Sequence, residues 1–545
     1  MNKIKKVFIG FFVGVFMFIF VGFQSDFFEI AKQIDIYTTL FKELNMYYVD
    51  EINPAKLTNN AINHMLSNLD PYTRYYDEQG VESSRIASAG EYGGIGVISR
   101  YENNTLTIRE VLKNSPAEKE GIKPGDLILK INDVFVKDYK EEGISTLLNG
   151  LPNTNVKLQI ERQNKKLELE ITRKKIEINP VPHFTMLDTV VGYISFIKFN
   201  EKAASEVKKA ILELKDLGMK KLIIDVRDNP GGLLNEAVKI TNFFIPKDKI
   251  VVTTKAKVKK WSITFKTRLT ALDLHIPIVI LVNNRSASAS EILAGSLQDY
   301  DRAVIIGERS FGKGLVQRYR ELSYGTQMKI TIAKYYTPSG RCIQELDYTN
   351  RDDEGNIPKF SDAGRKLYKT GKGRTVYGGG GILPDIEIKK IKTTETTKTL
   401  LKSNAFFNYA TNYFYNHPSI VKPSKFNLKE SDYLFLKTYL NNHQSEFETK
   451  TETEFKKAKE EANSEKLAKN LTKSYQNLLE TIHVEKLKEL DKNKEEILNK
   501  LTEEIVKRYY YKEGVYKQKV IFDKTISQAI TILNNTKRYN SILKN

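Results

Sequence analysis

Cysteine and histidine are both scarce in this chain of 545 residues, which contains one cysteine and six histidines. The single cysteine, Cys342, cannot form an intramolecular disulfide, so outside the cytoplasm the fold must be stabilised by packed cores. None of the histidines lies in a turn after a predicted strand, so a catalytic base there would have to be another residue type. The histidines are His64, His183, His275, His417, His443 and His483.

Positive charge is in excess, with a formal net charge of +19. This charge alone would suit nucleic acid, an anionic membrane surface or acidic substrates. Lys3, Lys5 and Lys6 precede an apolar run over residues 7–23, which predicts a signal peptide or signal anchor over residues 1–24. No small-residue cleavage signal follows the run, which favours an uncleaved membrane anchor.

The positive-inside rule then puts the rest of the chain outside the cytoplasm, in the bacterial cell envelope. We expect it on the periplasmic side of the inner membrane, either anchored or secreted into the periplasm. The membrane is accordingly an expected partner, and nucleic acid is not.

The chain is too long for one hydrophobic core, and its residue patterns predict several domains of a multidomain α/β protein. Apolar residues at helical spacing give way to short strand-like runs, then to alternating strands and helices with a largely parallel sheet, and finally to charged helices. The predicted regions are 1–24 as signal segment, 25–88 as N-terminal helical region, 89–176 as β-rich module, 177–386 as α/β core and 387–545 as Lys- and Glu-rich helical domain. The charge of the last region indicates a solvated helix surface or a contact surface for membrane or partner.

A run of small residues follows the apolar strand predicted over residues 278–282. This run, 283–291, reads Asn-Asn-Arg-Ser-Ala-Ser-Ala-Ser-Glu and leads into an apolar helix. A turn between a buried strand and a helix exposes a side chain and directs backbone N–H groups at a bound group, which suits a nucleophilic serine. The same serines are also ordinary helix-capping residues, so the motif alone leaves both interpretations open.

A lysine can replace histidine as the base if its environment keeps the amine neutral. Lys313 is the best candidate because glycines on both sides, Gly312 and Gly314, allow close backbone approach. The stretch from Gly307 to Gly314 nearly matches a phosphate-binding loop, which is the alternative. Gly314 stands where that loop needs Ser or Thr for magnesium, so nucleotide binding is disfavoured.

A third glycine turn follows another buried strand, at residues 225–233, which read Asp-Val-Arg-Asp-Asn-Pro-Gly-Gly-Leu. Unhindered N–H groups of Gly231 or Gly232 could bind a developing oxyanion. A simple strand-to-helix turn with a Pro-Gly stop is the alternative.

Together with the Tyr-Tyr-Thr-Pro-Ser-Gly-Arg run at 335–341, these three motifs resemble those of the C-terminal processing peptidases, the tail-specific serine proteases. The resemblance implies that Ser288 is the nucleophile, Lys313 the general base and Gln317 a residue that orients the lysine. It further implies an oxyanion hole from Ala289 with Gly231 or Gly232, and it matches Asp299 to an acidic residue that is supporting or structural. The implied core fold is the α/β spiral of crotonase-like and Clp-type enzymes.

The resemblance also identifies the β-rich module as an inserted PDZ domain. Its carboxylate-binding loop would fall on Gly94, Ile95, Gly96 and Val97. Successive N–H groups of such a loop can bind a terminal carboxylate, and the following strand can pair with an extended peptide.

These observations predict a serine endopeptidase that recognises the apolar C-terminal tails of unfolded or loosely folded exported proteins, without metal or cofactor. The alternative is a catalytically inactive, membrane-anchored PDZ scaffold or chaperone-like binding protein. A homo-oligomer is compatible with either.

Overall fold

The computed structural model describes residues 27–139, 142–352, 354–360, 364–389 and 392–544, without the side chains of residues 142 and 468–470. The predicted signal segment, 1–24, therefore lies outside the described residues. Within the described ranges, no helix combines the length and the apolar character that a membrane crossing requires. The described residues separate into two compact units, one of residues 27–77 with 319–330 and one of residues 78–318 with 331–544.

The smaller unit contains two helices of the predicted N-terminal helical region, 25–88, whose residues from 78 onward belong to the larger unit. Helix α1 spans residues 27–47, and helix α2 is Pro54–Ser67. The side chain of Asn53 caps α2 by accepting a hydrogen bond from the N–H of Lys56. Strand β1, Arg74–Tyr76, pairs antiparallel with residues 327–329.

The larger unit begins with helix α3 and the β-rich module. The elements are α3 Glu78–Ala89, β2 Glu91–Gly94, β3 Val97–Glu102, β4 Thr105–Val111, α4 Pro116–Lys119, β5 Leu127–Ile131, β6 Val134–Phe135, β7 Asn155–Arg162, β8 Lys165–Thr172 and β9 Lys174–Glu177. The main sheet has the order β3-β4-β5-β7-β8, so β3 is an edge strand. Antiparallel pairing of β2 with β9 brings entry and exit of the module together, as an inserted domain requires.

The α/β core follows the module. Its elements are β10 His183–Met186, β11 Val191–Ser195, α5 Ala203–Asp216, β12 Lys221–Asp225, α6 Leu234–Asn242, β13 Ile250–Ala256, β14 Thr264–Lys266, β15 Ile278–Val282, α7 Ala289–Asp299, β16 Val304–Gly307, β17 Leu315–Glu321, β18 Gln327–Tyr336, β19 Leu367–Lys369, β20 Thr375–Tyr377 and β21 Ile386–Glu387. The central sheet has the order β10-β11-β12-β15-β16-β21, and every pairing except that of β10 with β11 is parallel. The predicted α/β architecture with a largely parallel sheet is confirmed.

The remaining chain is helical, as predicted. Its helices are α8 Glu395–Lys402, α9 Asn404–Asn416, α10 Glu430–Asn442, α11 Lys450–Ser464, α12 Ala468–Glu489, α13 Lys494–Phe522, α14 Lys524–Asn534 and α15 Thr536–Ile542. One hydrophobic core joins α8, α9, α10 and α13.

The central sheet is covered on both faces, as a parallel sheet must be. In β15 the side chains of Ile278 and Ile280 face α5, α6 and α7, whereas Val279 and Leu281 face α14 and α15. Helices α14 and α15 therefore share a hydrophobic core with the central sheet. In the sequence, the charged region that contains them is predicted as a separate helical domain. Strand β15 leads directly to the serine-rich turn.

Candidate active site

The turn after β15 places Ser288 in a strained backbone conformation. Ser288 is the N-cap residue of α7 and has φ +56° and ψ −113°. This region is uncommon for a residue with a Cβ atom and costs roughly 1–3 kcal/mol. A strained serine at a sharp strand-to-helix turn is the geometry of a nucleophile elbow.

The three serines of the turn have different surroundings. The Oγ of Ser286 donates to the carbonyl of Val226 at 2.7 Å, and the Oγ of Ser290 donates to the carbonyl of Asn229 at 2.9 Å. Both serines are fully buried, whereas Ser288 is partly exposed. The outer two serines therefore fasten this turn to the 226–229 turn, and Ser288 has the open position.

The buried carboxylate of Glu291 connects the serine turn to the lysine loop. Its Oε2 accepts hydrogen bonds from the backbone N–H groups of Ser288 at 2.8 Å and Lys313 at 2.9 Å. Its Oε1 accepts from the hydroxyl of Ser310 at 2.6 Å and the N–H of Gly312 at 2.7 Å. Burial raises the pKa of Glu291, and these four hydrogen bonds oppose that rise.

Sequence reasoning did not single out Glu291 as a functional residue. The usable signal was the spacing Ser-x-x-Glu, which is that of a capping box. In this turn the glutamate accepts from the N–H of Ser288 and also reaches a segment 19 to 22 residues further along the chain. That second contact depends on tertiary structure and has no signature in the local sequence.

Close packing explains the glycines around Lys313. A Cβ atom on Gly312 would lie 2.7 Å from the Cβ of Glu345, and one on Gly314 would lie 2.8 Å from the backbone nitrogen of Gln344. Lys313 itself is partly exposed. The segment continues into strand β17 and not into a helix, so it lacks the helix N-terminus on which a phosphate-binding loop depends.

Gln317 lies on β17, four residues after Lys313. Its Nε2 donates to the Oγ1 of Thr331 on the neighbouring strand β18 at 3.2 Å. The amide is thereby oriented, with its Oε1 left to accept a hydrogen bond from another donor.

The glycine turn, residues 225–233, approaches the serine turn closely. The hydrogen bonds of its N–H groups differ between the two predicted oxyanion donors, Gly231 and Gly232. The N–H of Gly231 already donates to the Oδ1 of Asn229 at 2.9 Å, so Gly231 is engaged within its own turn. Among the described residues, the N–H groups of Gly232 and Ala289 have no acceptor. Gly231 has φ +92°, and a Cβ atom there would lie 2.8 Å from the nitrogen of Ala289 and so cover it.

Asp299 lies at the opposite end of α7 from Ser288, about 16 Å away at 1.5 Å per residue. Its Oδ2 accepts from the hydroxyl of Thr337 at 2.5 Å and the N–H of Ser339 at 2.9 Å. Its Oδ1 lies 2.8 Å from the Nη2 of the buried Arg341. These contacts hold the 337–341 turn, and the two predicted roles of Asp299 stay predictions.

The predicted carboxylate-binding loop connects β2 to the edge strand β3. The carbonyl of Ile95 accepts from the N–H of Ala117, and the carbonyl of Gly96 accepts from the N–H of Leu112, each at 2.9 Å. In a planar trans peptide the N–H points away from the carbonyl, so the N–H groups of Gly96 and Val97 are directed away from these partners. Gly94 lies at the start of this loop and forms a bridge with Asn149.

A parallel-sheet core with a strained serine at a strand-to-helix turn, joined to an inserted β-rich module, is the architecture expected of a serine-type peptidase with a PDZ domain. Sequence profiles agree with this class. The profile of Peptidase family S41 matches residues 190–350, and that of the PDZ domain matches residues 93–172. The profile described as "Probable PDZ-protease, C-terminal helical domain" matches residues 396–533.

Individual proteins are similar to the chain over more than half of its length. The carboxy-terminal-processing protease of Bartonella bacilliformis is 36% identical over 324 residues, which cover 58% of this chain and 74% of that protein. A probable CtpA-like serine protease of Staphylococcus aureus is 36% identical over 307 residues, covering 56% of this chain and 61% of that protein. The solved photosystem II D1 C-terminal processing protease is 27% identical with a TM-score of 0.36, covering 65% and 92% of the two chains.

The chain therefore belongs to the carboxy-terminal-processing serine peptidases of Peptidase family S41. The family resemblance of the four motifs and the identification of the PDZ domain are both confirmed.

Proposed function

We propose that the chain is an endopeptidase in which Ser288 attacks the peptide carbonyl and Lys313 is the general base. One observation carries this proposal: the same oxygen of Glu291 accepts from the backbone N–H groups of both residues. The two amide nitrogens cannot be further apart than the sum of those two hydrogen bonds. Two residue types suited to nucleophile and base are thus held side by side by a buried, rigid group.

The reaction begins with a neutral Lys313 amine, which takes the proton of the Ser288 hydroxyl as its Oγ bonds to the substrate carbonyl carbon. The carbonyl oxygen becomes an oxyanion, and the N–H groups of Gly232 and Ala289 bind it. Because Ala289 is the first residue of α7, the positive end of the helix dipole adds to this stabilisation. Protonated Lys313 then gives its proton to the leaving amine, and water hydrolyses the acyl-enzyme with Lys313 as base again.

Gln317 would orient the lysine. Its Nε2 donates to Thr331, so its Oε1 is directed elsewhere and is able to accept from the Lys313 ammonium group. This contact would hold the lysine in place during proton transfer without supplying a proton itself.

The PDZ domain would bind the substrate tail before cleavage. The outward N–H groups of Gly96 and Val97 suit a terminal carboxylate, and the open edge of β3 suits an extended peptide that adds as a further strand. Substrates are therefore proteins with unfolded, apolar C-terminal tails.

The charged and apolar start of the chain supports an envelope location, with the peptidase on the periplasmic side of the membrane. Fusion of residues 1–30 to a reporter enzyme that is active only outside the cytoplasm tests this. Substitution of Lys3, Lys5 and Lys6 by glutamate should reduce the export of that fusion. A reporter that stays inactive with the natural sequence would contradict the location.

Active-site labelling tests the nucleophile. A fluorophosphonate probe should label the natural protein and fail to label Ser288→Ala, which should keep its thermal midpoint. Ser286→Ala and Ser290→Ala are matched neighbours with buried, hydrogen-bonded hydroxyls, so they should lower the midpoint but remain labelled. Lys313→Ala should abolish both labelling and cleavage of an unfolded substrate.

The alternative of an inactive PDZ scaffold makes the opposite prediction. A scaffold would bind a C-terminal peptide but would show neither labelling of Ser288 nor cleavage. Binding of that peptide to Ser288→Ala at the natural affinity, with cleavage lost, is the result expected for the peptidase.

A further inference from the structure

A buried ion-pair network connects the C-terminal helices to the glycine turn. Arg227 lies four residues before Gly231, and its side chain is only 7% exposed. Its Nε and Nη2 donate to the two carboxylate oxygens of Asp225 at 2.9 Å and 2.6 Å. Its Nη1 lies 2.8 Å from the Oδ2 of Asp523 at the start of α14.

The inner half of this network is strongly held. Asp225 also accepts a hydrogen bond from the hydroxyl of Tyr193 at 2.8 Å. Burial alone would raise the pKa of Asp225, but the charge and hydrogen bonds of Arg227, together with Lys519 and the Tyr193 hydroxyl, outweigh burial and lower the pKa to about 2. Asp225 is therefore ionised and pairs with the Nε and Nη2 of Arg227. The remaining nitrogen of the guanidinium, Nη1, pairs with Asp523.

Asp523 connects two parts of the chain through its two oxygens. Its Oδ1 accepts from the N–H groups of Thr525 at 2.8 Å and Ile526 at 3.2 Å, which caps α14. Its Oδ2 pairs with Arg227, and its side chain is 14% exposed. Because α14 packs on the central sheet, the carboxylate is held by a rigid element.

The turn that carries Arg227 also carries Gly232, whose N–H has no acceptor among the described residues, and Gly231, where a Cβ atom would lie 2.9 Å from the Cβ of Ser288. The carbonyl of Asn229 accepts from the N–H of Ala287 at 3.1 Å and from the hydroxyl of Ser290, so the two turns are in direct contact. At the other end, Arg227 connects this turn to Asp523 at the start of α14. A displacement of Arg227 would therefore shift Gly232 relative to Ser288.

We propose that Asp523 is a positioning residue for the peptidase reaction, acting through Arg227 to hold the 226–232 turn where Gly232 can bind the oxyanion. This rests on the proposed function. It makes the C-terminal helical region a structural part of the active centre, in addition to its contact with the sheet.

Asp523→Asn separates positioning from helix capping, since asparagine caps a helix as well as aspartate but carries no charge. We expect kcat to fall roughly 10-fold to 100-fold, a part of the loss for one missing oxyanion donor, with KM unchanged. The rate of fluorophosphonate labelling at Ser288 should fall in parallel. Asp523→Glu, which restores the carboxylate, should recover a large part of both rates.

Glu495→Gln is the matched control. Glu495 of α13 pairs with Lys524, the first residue of α14, at 2.6 Å, and both side chains are largely exposed. The control removes one acidic charge near the start of α14 without contacting Arg227, and its rates should equal those of the natural protein.

Amide hydrogen exchange of residues 226–233 measures the position of the turn independently of activity. In Asp523→Asn this segment should exchange at least 5-fold faster than in the natural protein and in Glu495→Gln. Unchanged exchange would overturn the inference, whether or not the protein is a peptidase. A natural protein that neither labels nor cleaves would instead contradict the proposed function, and exchange would still decide the role of Asp523.

Discussion

Glu291→Gln tests whether the shared carboxylate holds the serine and lysine segments together. The substitution keeps the shape of the side chain but replaces one acceptor oxygen by an NH2 group. Four donors converge on the natural carboxylate, namely Ser288 N–H, Lys313 N–H, Gly312 N–H and the Ser310 hydroxyl. The glutamine oxygen has lone pairs for two of them.

The less costly orientation keeps the oxygen towards Ser288 and Lys313 and turns the NH2 group towards Gly312 and Ser310. The hydroxyl of Ser310 can rotate and accept, although it already accepts from the N–H of Ile382 at 2.6 Å. The N–H of Gly312 is then left buried without an acceptor, which costs about 1–3 kcal/mol, and the other bonds lose their charge-assisted strength. We expect a total loss of about 2–4 kcal/mol.

Some of this loss will appear as instability and the rest as reduced activity. If all of it were lost from the transition state, kcat would fall about 30-fold to 1000-fold. The assay compares kcat on an unfolded protein substrate, the rate of fluorophosphonate labelling and the urea midpoint. Glu213→Gln, at an exposed position on α5, is the matched control. Natural values of all three quantities in Glu291→Gln would refute the reasoning.

Two further predictions concern the core that supports the site. Tyr539→Phe should lower the free energy of unfolding by about 2–4 kcal/mol, since the Tyr539 hydroxyl bonds both the N–H and the carbonyl of Ile278 at 2.9 Å and 3.0 Å. Urea denaturation measures this, and an unchanged midpoint would show that both backbone groups find other partners. The pKa of Asp225 in the folded protein is lowered to about 2, so as the pH falls the unfolded chain takes up this proton first. The ionised Asp225 should therefore contribute about 2.5 kcal/mol to stability above about pH 5, and this contribution should be lost between about pH 4 and pH 2. Unfolding measured against pH should lose this component in Asp225→Asn, and the same acid dependence in both proteins would contradict the assignment.

Much of the fold follows from local patterns that the sequence displays directly. Apolar strands such as Ile278–Val282, followed by small-residue turns and amphipathic helices, identify a parallel sheet because such strands are buried on both faces. The glycine-rich stretches around Lys313 and before β3 identify places of close backbone approach, and the structure gives the atoms that a side chain would meet there.

The sequence by itself determined the motifs and their order, because turn residues, glycines and strand ends are encoded within a few neighbouring positions. Their catalytic roles stay predictions. Only the tertiary structure decided which of the three serines in the turn is open. The hydroxyls of Ser286 and Ser290 donate to backbone carbonyls of another turn, more than fifty residues away in the chain.

The same holds for the groups that connect distant segments. In the sequence, Glu291 and Asp523 are ordinary residues at the start of a helix. The sequence likewise presents Gly231 as an available N–H donor, whereas in the structure this N–H donates to the side chain of Asn229. The local sequence accounts for one oxygen of each carboxylate through helix capping. The other oxygen binds a segment brought near by the folded chain, and in Glu291 the capping oxygen also accepts from the N–H of Lys313. These contacts depend on three-dimensional packing, which no local pattern records.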